Sequence, residues 1–240
     1  MLLSKLLPAR LLVQPGAQLN PLAAVPMTSA LSDPDVHYYL GNLGVCTGQK
    51  RLVVFALDDS PSMTGAGGND PLSRRYAEAR LAVRTLVRAC SCEQEMVAVY
   101  HWDKSRFDVP PVGFDPTSNW RVQGGLRVPD DVAGTSELGP VLTRIERAVR
   151  PWAWRGWDVH LVVLSDFELL DADLGGVVRQ LQRFADRHAA TAVVLGSHAP
   201  DPRLLDGAVS LLPITSADRP GTLARAVFGV LSRGRTGYRI

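Results

Sequence analysis

Three near-continuous apolar runs constrain the fold of this chain more than any other feature. They are Leu52-Val53-Val54-Phe55-Ala56-Leu57, Val159-His160-Leu161-Val162-Val163-Leu164 and Thr191-Ala192-Val193-Val194-Leu195. A strand that is apolar on both faces must be covered on both, as in the parallel sheets of α/β proteins. Between the runs the period changes to that of a helix. Leu72, Tyr76, Ala79, Val83, Leu86, Val87 and Cys90 recur at helical spacing over 72–90. Leu138, Val141, Leu142, Ile145 and Val149 mark a second helix, ended near Pro151. Leu174, Val177, Val178, Leu181, Phe184 and Ala185 mark a third, and Leu223, Ala226, Val227, Val230 and Leu231 a last one, with Gly234 suited to its C-cap. Strands are predicted over 51–57, 95–102, 158–165, 191–195 and 208–212. Phe107-Asp108-Val109 reads as a short antiparallel edge strand ended by Pro110-Pro111. Strands alternating with helices and joined by right-handed crossovers predict a doubly wound, mostly parallel sheet with helices on both faces.

Two stretches do not follow this rhythm. Residues 1–48 carry Pro8, Pro15, Pro21, Pro26 and Pro34 and no sustained period, so they read as an N-terminal extension to a domain at 49–240. The leucines of the extension are expected to pack onto that domain, because leucines exposed at this density would favour association. Residues 110–133 form a long irregular connection, of the kind that usually carries function. Within it Trp120-Arg121-Val122 and Leu126-Arg127-Val128 flank Gln123-Gly124-Gly125, which predicts a small hairpin.

Charge and composition remove several function classes. The formal net charge is +2 and no Lys/Arg block stands out, so a nucleic-acid partner is not expected, and the arginine-rich helix faces read as solvated surface. Cys46, Cys90 and Cys92 are odd in number and lack zinc spacing, which fits reduced thiols. No apolar run approaches the ~20 residues needed to span a bilayer. The start of the chain is leucine-rich but broken by Lys5, Pro8 and Arg10, so no secretory signal is read there. A cytoplasmic location is expected.

The first apolar run ends in Asp58-Asp59-Ser60-Pro61-Ser62. A carboxylate and two hydroxyls at alternate positions of a turn make a set of hard oxygen ligands, suited to a small divalent cation such as magnesium. Thr135 follows in Gly134-Thr135-Ser136, just before the second helix, and Asp166 closes the strand at 158–165. Singly, each residue has a simpler role. Asp58 can cap a turn, Ser60 and Ser62 can start a helix, Thr135 or Ser136 can be an N-cap, and Asp166 can end a strand. Jointly they form an ordered constellation at the ends of strands.

The order D-x-S-x-S, then a threonine in a glycine-containing loop, then an aspartate after a later strand resembles the von Willebrand factor type A (vWA) domain with its metal-ion-dependent adhesion site. The resemblance spans roughly residues 50–233. Met63 also fits the usual Ser-Met ending of the first motif, whereas Pro61 and Phe167 stand where the family commonly has glycine. The resemblance implies a magnesium ion, with manganese as a substitute. Ser60 and Ser62 would bind it directly, Thr135 would bind it in the binding-competent state, and Asp58 and Asp166 would hold it largely through water. It further implies a protein partner that presents an acidic side chain, and work beside an ATPase in a bacterial stress or defence system. The expected rim of the partner surface comprises Gly65, Gly67, Phe167, Glu168 and His198.

An enzyme is the competing class, with Asp58 as nucleophile of a metal-dependent phosphatase or hydrolase. Such aspartyl chemistry usually places a second acid at the alternate position, which here is Ser60. Neither a phosphate-binding G-x-x-x-x-G-K-[ST] loop nor a G-x-S-x-G elbow is present. The expectation is therefore a non-enzymatic binding module. Asp59, Asp171 and Asp173 read as turn or helix-start residues, and Trp152, Trp154 and Trp157 as packing around the connection after Pro151, with an exposed pair able to serve as a binding anchor.

Overall fold

The computed structural model describes residues 38–64, 68–70, 74–89, 93–103, 105–115, 118–127, 129, 134–197, 199–204, 207–215 and 217–237. Gly65, Gly67, His198, Cys90, Cys92 and most of the extension, residues 1–37, lie outside them.

Six strands form one sheet: β1 (Arg51–Leu57), β2 (Glu95–His101), β3 (Val109–Gly113), β4 (Asp158–Ser165), β5 (Ala189–Leu195) and β6 (Val209–Ile214). Their spatial order is β3-β2-β1-β4-β5-β6. All neighbours are parallel except β2 and β3. The helices are α1 (Pro61–Thr64), α2 (Arg74–Ala89), α3 (Asn119–Gly125), α4 (Leu138–Ala153), α5 (Leu174–Arg187) and α6 (Thr222–Ser232). This is the doubly wound architecture predicted from the apolar runs.

The two faces of β1 and β4 feed two separate cores, as the alternation of side chains along a strand requires. Val53, Phe55, Leu57, Val162 and Leu164 point towards α2, α3 and α6. Leu52, Val54, Ala56, Leu161 and Val163 point towards α4 and α5. Each fully buried Val, Leu or Phe contributes about 1.5–3 kcal/mol relative to exposure, so the central strands anchor both layers. Leu40 and Leu43, the described leucines of the extension, are buried in the α2/α6 core. Val45 then bridges Thr236. Glu78 of α2 accepts backbone N–H groups of Gly221 and Ala224, satisfying donors at the start of α6. Arg51 closes the other end of α6 by donating to the carbonyls of Val230, Leu231 and Arg233. Among the described residues no helix is long and apolar enough to cross a membrane.

Two local expectations need correction. The edge strand starts at Val109 and runs through Pro110 and Pro111 rather than ending at them, and Ser105–Phe107 is a single 3-10 turn. Prolines fit there because β3 is an edge strand whose pairing with β2 is irregular between Val97 and Val99. The predicted hairpin at 120–128 is instead the helix α3. Val122 and Leu126, one helical turn apart, are both buried, and the Leu126 N–H donates to the Val122 carbonyl at 2.9 Å. Gly125 serves close approach and not a turn: a Cβ there would lie 2.4 Å from Val109 Cγ2. α4 ends near Pro151 as expected: the proline lies in its last turn and the helix stops at Ala153.

Candidate metal centre

Asp58 and Asp166 arrive at the same sheet edge because β1 pairs with β4 in parallel, Leu57 beside Leu164. The chain leaves β1 towards β2 on one side and returns to β4 on the other. The gap between β1 and β4 is therefore the point where strand order reverses, the usual ligand crevice of such sheets.

Asp58 is fully buried and held at both oxygens. Oδ1 accepts the Ser60 N–H at 2.9 Å, and Oδ2 accepts the Ser165 hydroxyl at 2.6 Å. Burial pushes its carboxyl up to about 6, against these hydrogen bonds, and the Asp166 charge pushes the same way. Two buried carboxyl groups side by side favour an added positive charge between them. Asp166 is also fully buried; its Oδ2 accepts from Asn69 Nδ2 at 3.0 Å and its Oδ1 from the Glu168 N–H at 3.1 Å. On the same turn the Ser60 and Ser62 hydroxyls hydrogen-bond to one another, Oγ to Oγ at 2.9 Å. Neighbouring oxygens in an octahedron with bonds of about 2.0–2.1 Å are separated by about 2.9 Å, so this hydroxyl pair has the spacing a magnesium shell needs. The donor set fits magnesium or manganese. Among the described residues no group of three or more His, Cys, Asp or Glu side chains is placed to hold a metal, so a cation here depends on the hydroxyls.

Thr135 is exposed, and its hydroxyl bonds run to Asp103 Oδ1 and Glu137 Oε2, both at 3.2 Å, rather than to the serines or the two aspartates. Its loop still borders the site. Gly134 and Ser136 line an open groove of about 890 Å3 with Ser62, Phe167, Glu168 and Leu170. A Cβ at Gly134 would meet Asp103 Oδ2 at 2.3 Å, so a side chain there would displace the Asp103 carboxylate that Thr135 bonds. Glu168 is exposed at the groove, as expected of a rim residue. Phe167 lines the groove but offers little surface to it: it is only 3% exposed and its ring packs into the α4/α5 core. Its φ of 59° lies in the left-handed region, which favours glycine over a side chain of this size. The burial of the ring offsets the backbone cost of about 1–3 kcal/mol.

Beneath the site lies a network that the sequence reading missed. Arg75, the second residue of α2, is fully buried. It donates to Asp70 Oδ2 at 2.7 Å and to the Asp58 carbonyl at 2.7 Å. Asp59, read from sequence as a turn residue, accepts from the Tyr76 hydroxyl and meets His101 Nδ1 at 2.7 Å. His101 Nε2 donates to the Gly125 carbonyl at 2.7 Å, which ties α3 to the same cluster. Tyr76 was legible as a core residue of its helix, but nothing in the spacing of Arg74-Arg75 marked one arginine as buried. Asp171 caps α4 from a distant loop, accepting the N–H groups of Leu138 and Gly139 at 2.9 Å each. Asp173 caps α5 through Gly176 at 2.8 Å.

No family sequence model matches the chain, and no curated protein matches it in sequence. Solved structures do match in shape. A von Willebrand factor type A protein from Catenulispora acidiphila superposes with a TM-score of 0.59 at 16% identity, over 77% of this chain and 42% of that one. The pilus adhesin SpaC from Lactobacillus rhamnosus GG gives 0.58 at 9% identity, over 79% and 30%. The SpRpn10 vWA domain gives 0.52 at 10% identity, over 72% and 93%. The chain thus spans less than half of the first two proteins and nearly all of the isolated domain. Identities this low speak for the fold alone, and together with the strand order they show that the chain has the von Willebrand factor A fold.

Proposed function

We propose that this chain is a non-enzymatic protein-interaction module whose sheet edge holds a magnesium or manganese ion and receives a carboxylate from a partner. The observation that carries the reading is the Ser60–Ser62 hydroxyl pair, 2.9 Å apart beside two buried aspartates at the strand-order reversal. Ser60 and Ser62 would hold the ion directly. Asp58 and Asp166 would balance its charge, and Thr135 would join when its loop turns from Asp103. The ion would supply a Lewis-acidic position for a foreign carboxylate, since neutral hydroxyl ligands leave its charge largely unspent. Glu168 and the apolar wall at Leu170 would then contact the chain around that carboxylate.

Asp58 is poorly suited to be a nucleophile. It has no exposed surface, and both oxygens accept hydrogen bonds that hold it in place. This disfavours the phosphatase or hydrolase reading.

The test is selection of displayed acidic peptides on the immobilised domain in magnesium. Peptides bound at the sheet edge should release in excess EDTA. They should also bind at least about 10-fold more weakly to Thr135→Ala, an exposed change that spares the core. Selected peptides that all bind equally in EDTA and to the variant would contradict the reading.

A further inference from the structure

The outer surface of α4 and α5 carries features that the sheet edge does not use. A cleft of about 470 Å3 lies between the two helices, floored by Val149 and Phe184 and walled by Arg147, Arg150, Arg187 and Trp154. Its acidic lining residue, Glu146, is already engaged: Arg187 Nη2 lies 3.0 Å away and Gln180 Nε2 3.2 Å away. Three arginines against one glutamate leave +2 in this cleft alone, as much as the formal net charge of the whole chain. Arg147 and Arg150 are exposed, with no carboxylate at ion-pair distance among the described residues. His188, also in the lining, is pushed down by burial and then by Arg187, so the cleft's charge rests on arginines that do not titrate.

The tryptophans divide. Trp152 and Trp157 pack edge to face, 5.4 Å between centroids. Trp154 is 81% exposed, with the Arg150 guanidinium 5.8 Å from its ring centre. Tryptophan and arginine are the residue types that most often dominate binding energy at interfaces. α4 starts after the sheet edge that carries Thr135 and ends just before β4, so Arg147, Arg150 and Trp154 lie towards the end of the domain opposite the candidate metal centre.

We propose that the α4–α5 cleft is a second docking surface, for an acidic segment of a partner protein that inserts one apolar side chain. The positive walls match carboxylates, and the exposed Trp154 ring, backed by the nearly buried Val149 and Phe184, matches the apolar side chain. A peptide suits the cleft better than nucleic acid, because the whole chain carries a formal charge of only +2 and no Lys/Arg block extends the patch along a phosphate backbone. The surface is independent of the metal centre, so one domain could hold two partners at once.

The experiment is fluorescence anisotropy with a fluorescein-labelled peptide of glutamates flanking one central phenylalanine, on the full chain, in EDTA throughout. Binding is expected, weakening as salt rises. It should fall at least about 10-fold in Arg147→Glu/Arg150→Glu and in Trp154→Ala, with unchanged thermal melting, and it should fall when the phenylalanine is replaced by glutamate. No binding to the wild type, equal binding to the variants, or tighter arginine-dependent binding of an oligothymidylate of the same charge would overturn the proposal. EDTA keeps these outcomes separate from the metal reading, which predicts binding that EDTA removes.

Discussion

Arg75→Met is expected to lower the stability of the domain by about 3–5 kcal/mol, the usual cost of removing one partner from a buried charge cluster. The guanidinium is fully buried. It pairs with Asp70 at 2.7 Å and lies 3.7 Å from Asp59. It also holds the Asp58 carbonyl and packs 4.4 Å over the Tyr76 ring. Methionine keeps much of the volume but leaves Asp70 without that cation and Asp59 with His101 as its remaining basic neighbour. Urea denaturation at pH 7 measures the loss. A cost below about 1 kcal/mol would mean that the cluster is solvated in solution and does not brace the 58–62 loop.

The second large effect is on acid stability, through His160. Its ring is buried in β4, with Nε2 2.9 Å from Thr191 Oγ1. Burial, and then the Arg233 and Arg51 charges, lower it to about 3 from 6.5. The folded value is below the unfolded one, so the unfolded chain binds the extra proton. The stabilising term is therefore present above about pH 6.5 and is lost as pH falls through 3, on the order of 5 kcal/mol in total and about 2 kcal/mol between pH 7 and 5. Asp58 works in the opposite direction. Its folded value is raised to about 6 from 3.8, so its term is lost as pH rises through that range. The two partly cancel in the wild type, and the comparison with His160→Gln isolates the histidine. The variant should lose about 2 kcal/mol less than the wild type between pH 7 and 5. Parallel stability curves would show that His160 protonates in the folded state without penalty.

What could be read from the residues, and what could not, follows from the range of the interactions. β1, β4 and β5 were legible because strands buried on both faces leave continuous apolar runs. The helices α2, α4, α5 and α6 were legible because one apolar stripe faces the sheet. α3 was misread because Gln123-Gly124-Gly125 looks like a turn, while Val122 and Leu126 at helical spacing carried the correct signal. In the site, the alternate Asp58, Ser60 and Ser62 are local in sequence, and Asp166 ends a predictable strand. Pairing of β1 with β4 then brings Asp58 and Asp166 together. The Thr135 hydroxyl does not join them in this structure, since Asp103 and Glu137 take its hydrogen bonds. The brace of Arg75, Asp59, Tyr76 and His101 joins three elements far apart in sequence. No local pattern distinguishes its buried arginine from the solvated ones around it.

Calorimetric titration with magnesium and with manganese decides whether the hydroxyl pair beside Asp58 and Asp166 binds a divalent cation. The wild type should bind one ion of either metal near neutral pH. Ser60→Ala, which removes one of the two oxygens 2.9 Å apart, should bind at least about 10-fold more weakly while melting normally in the absence of metal. No heat of binding in the wild type, or equal affinity in wild type and variant, would contradict the account.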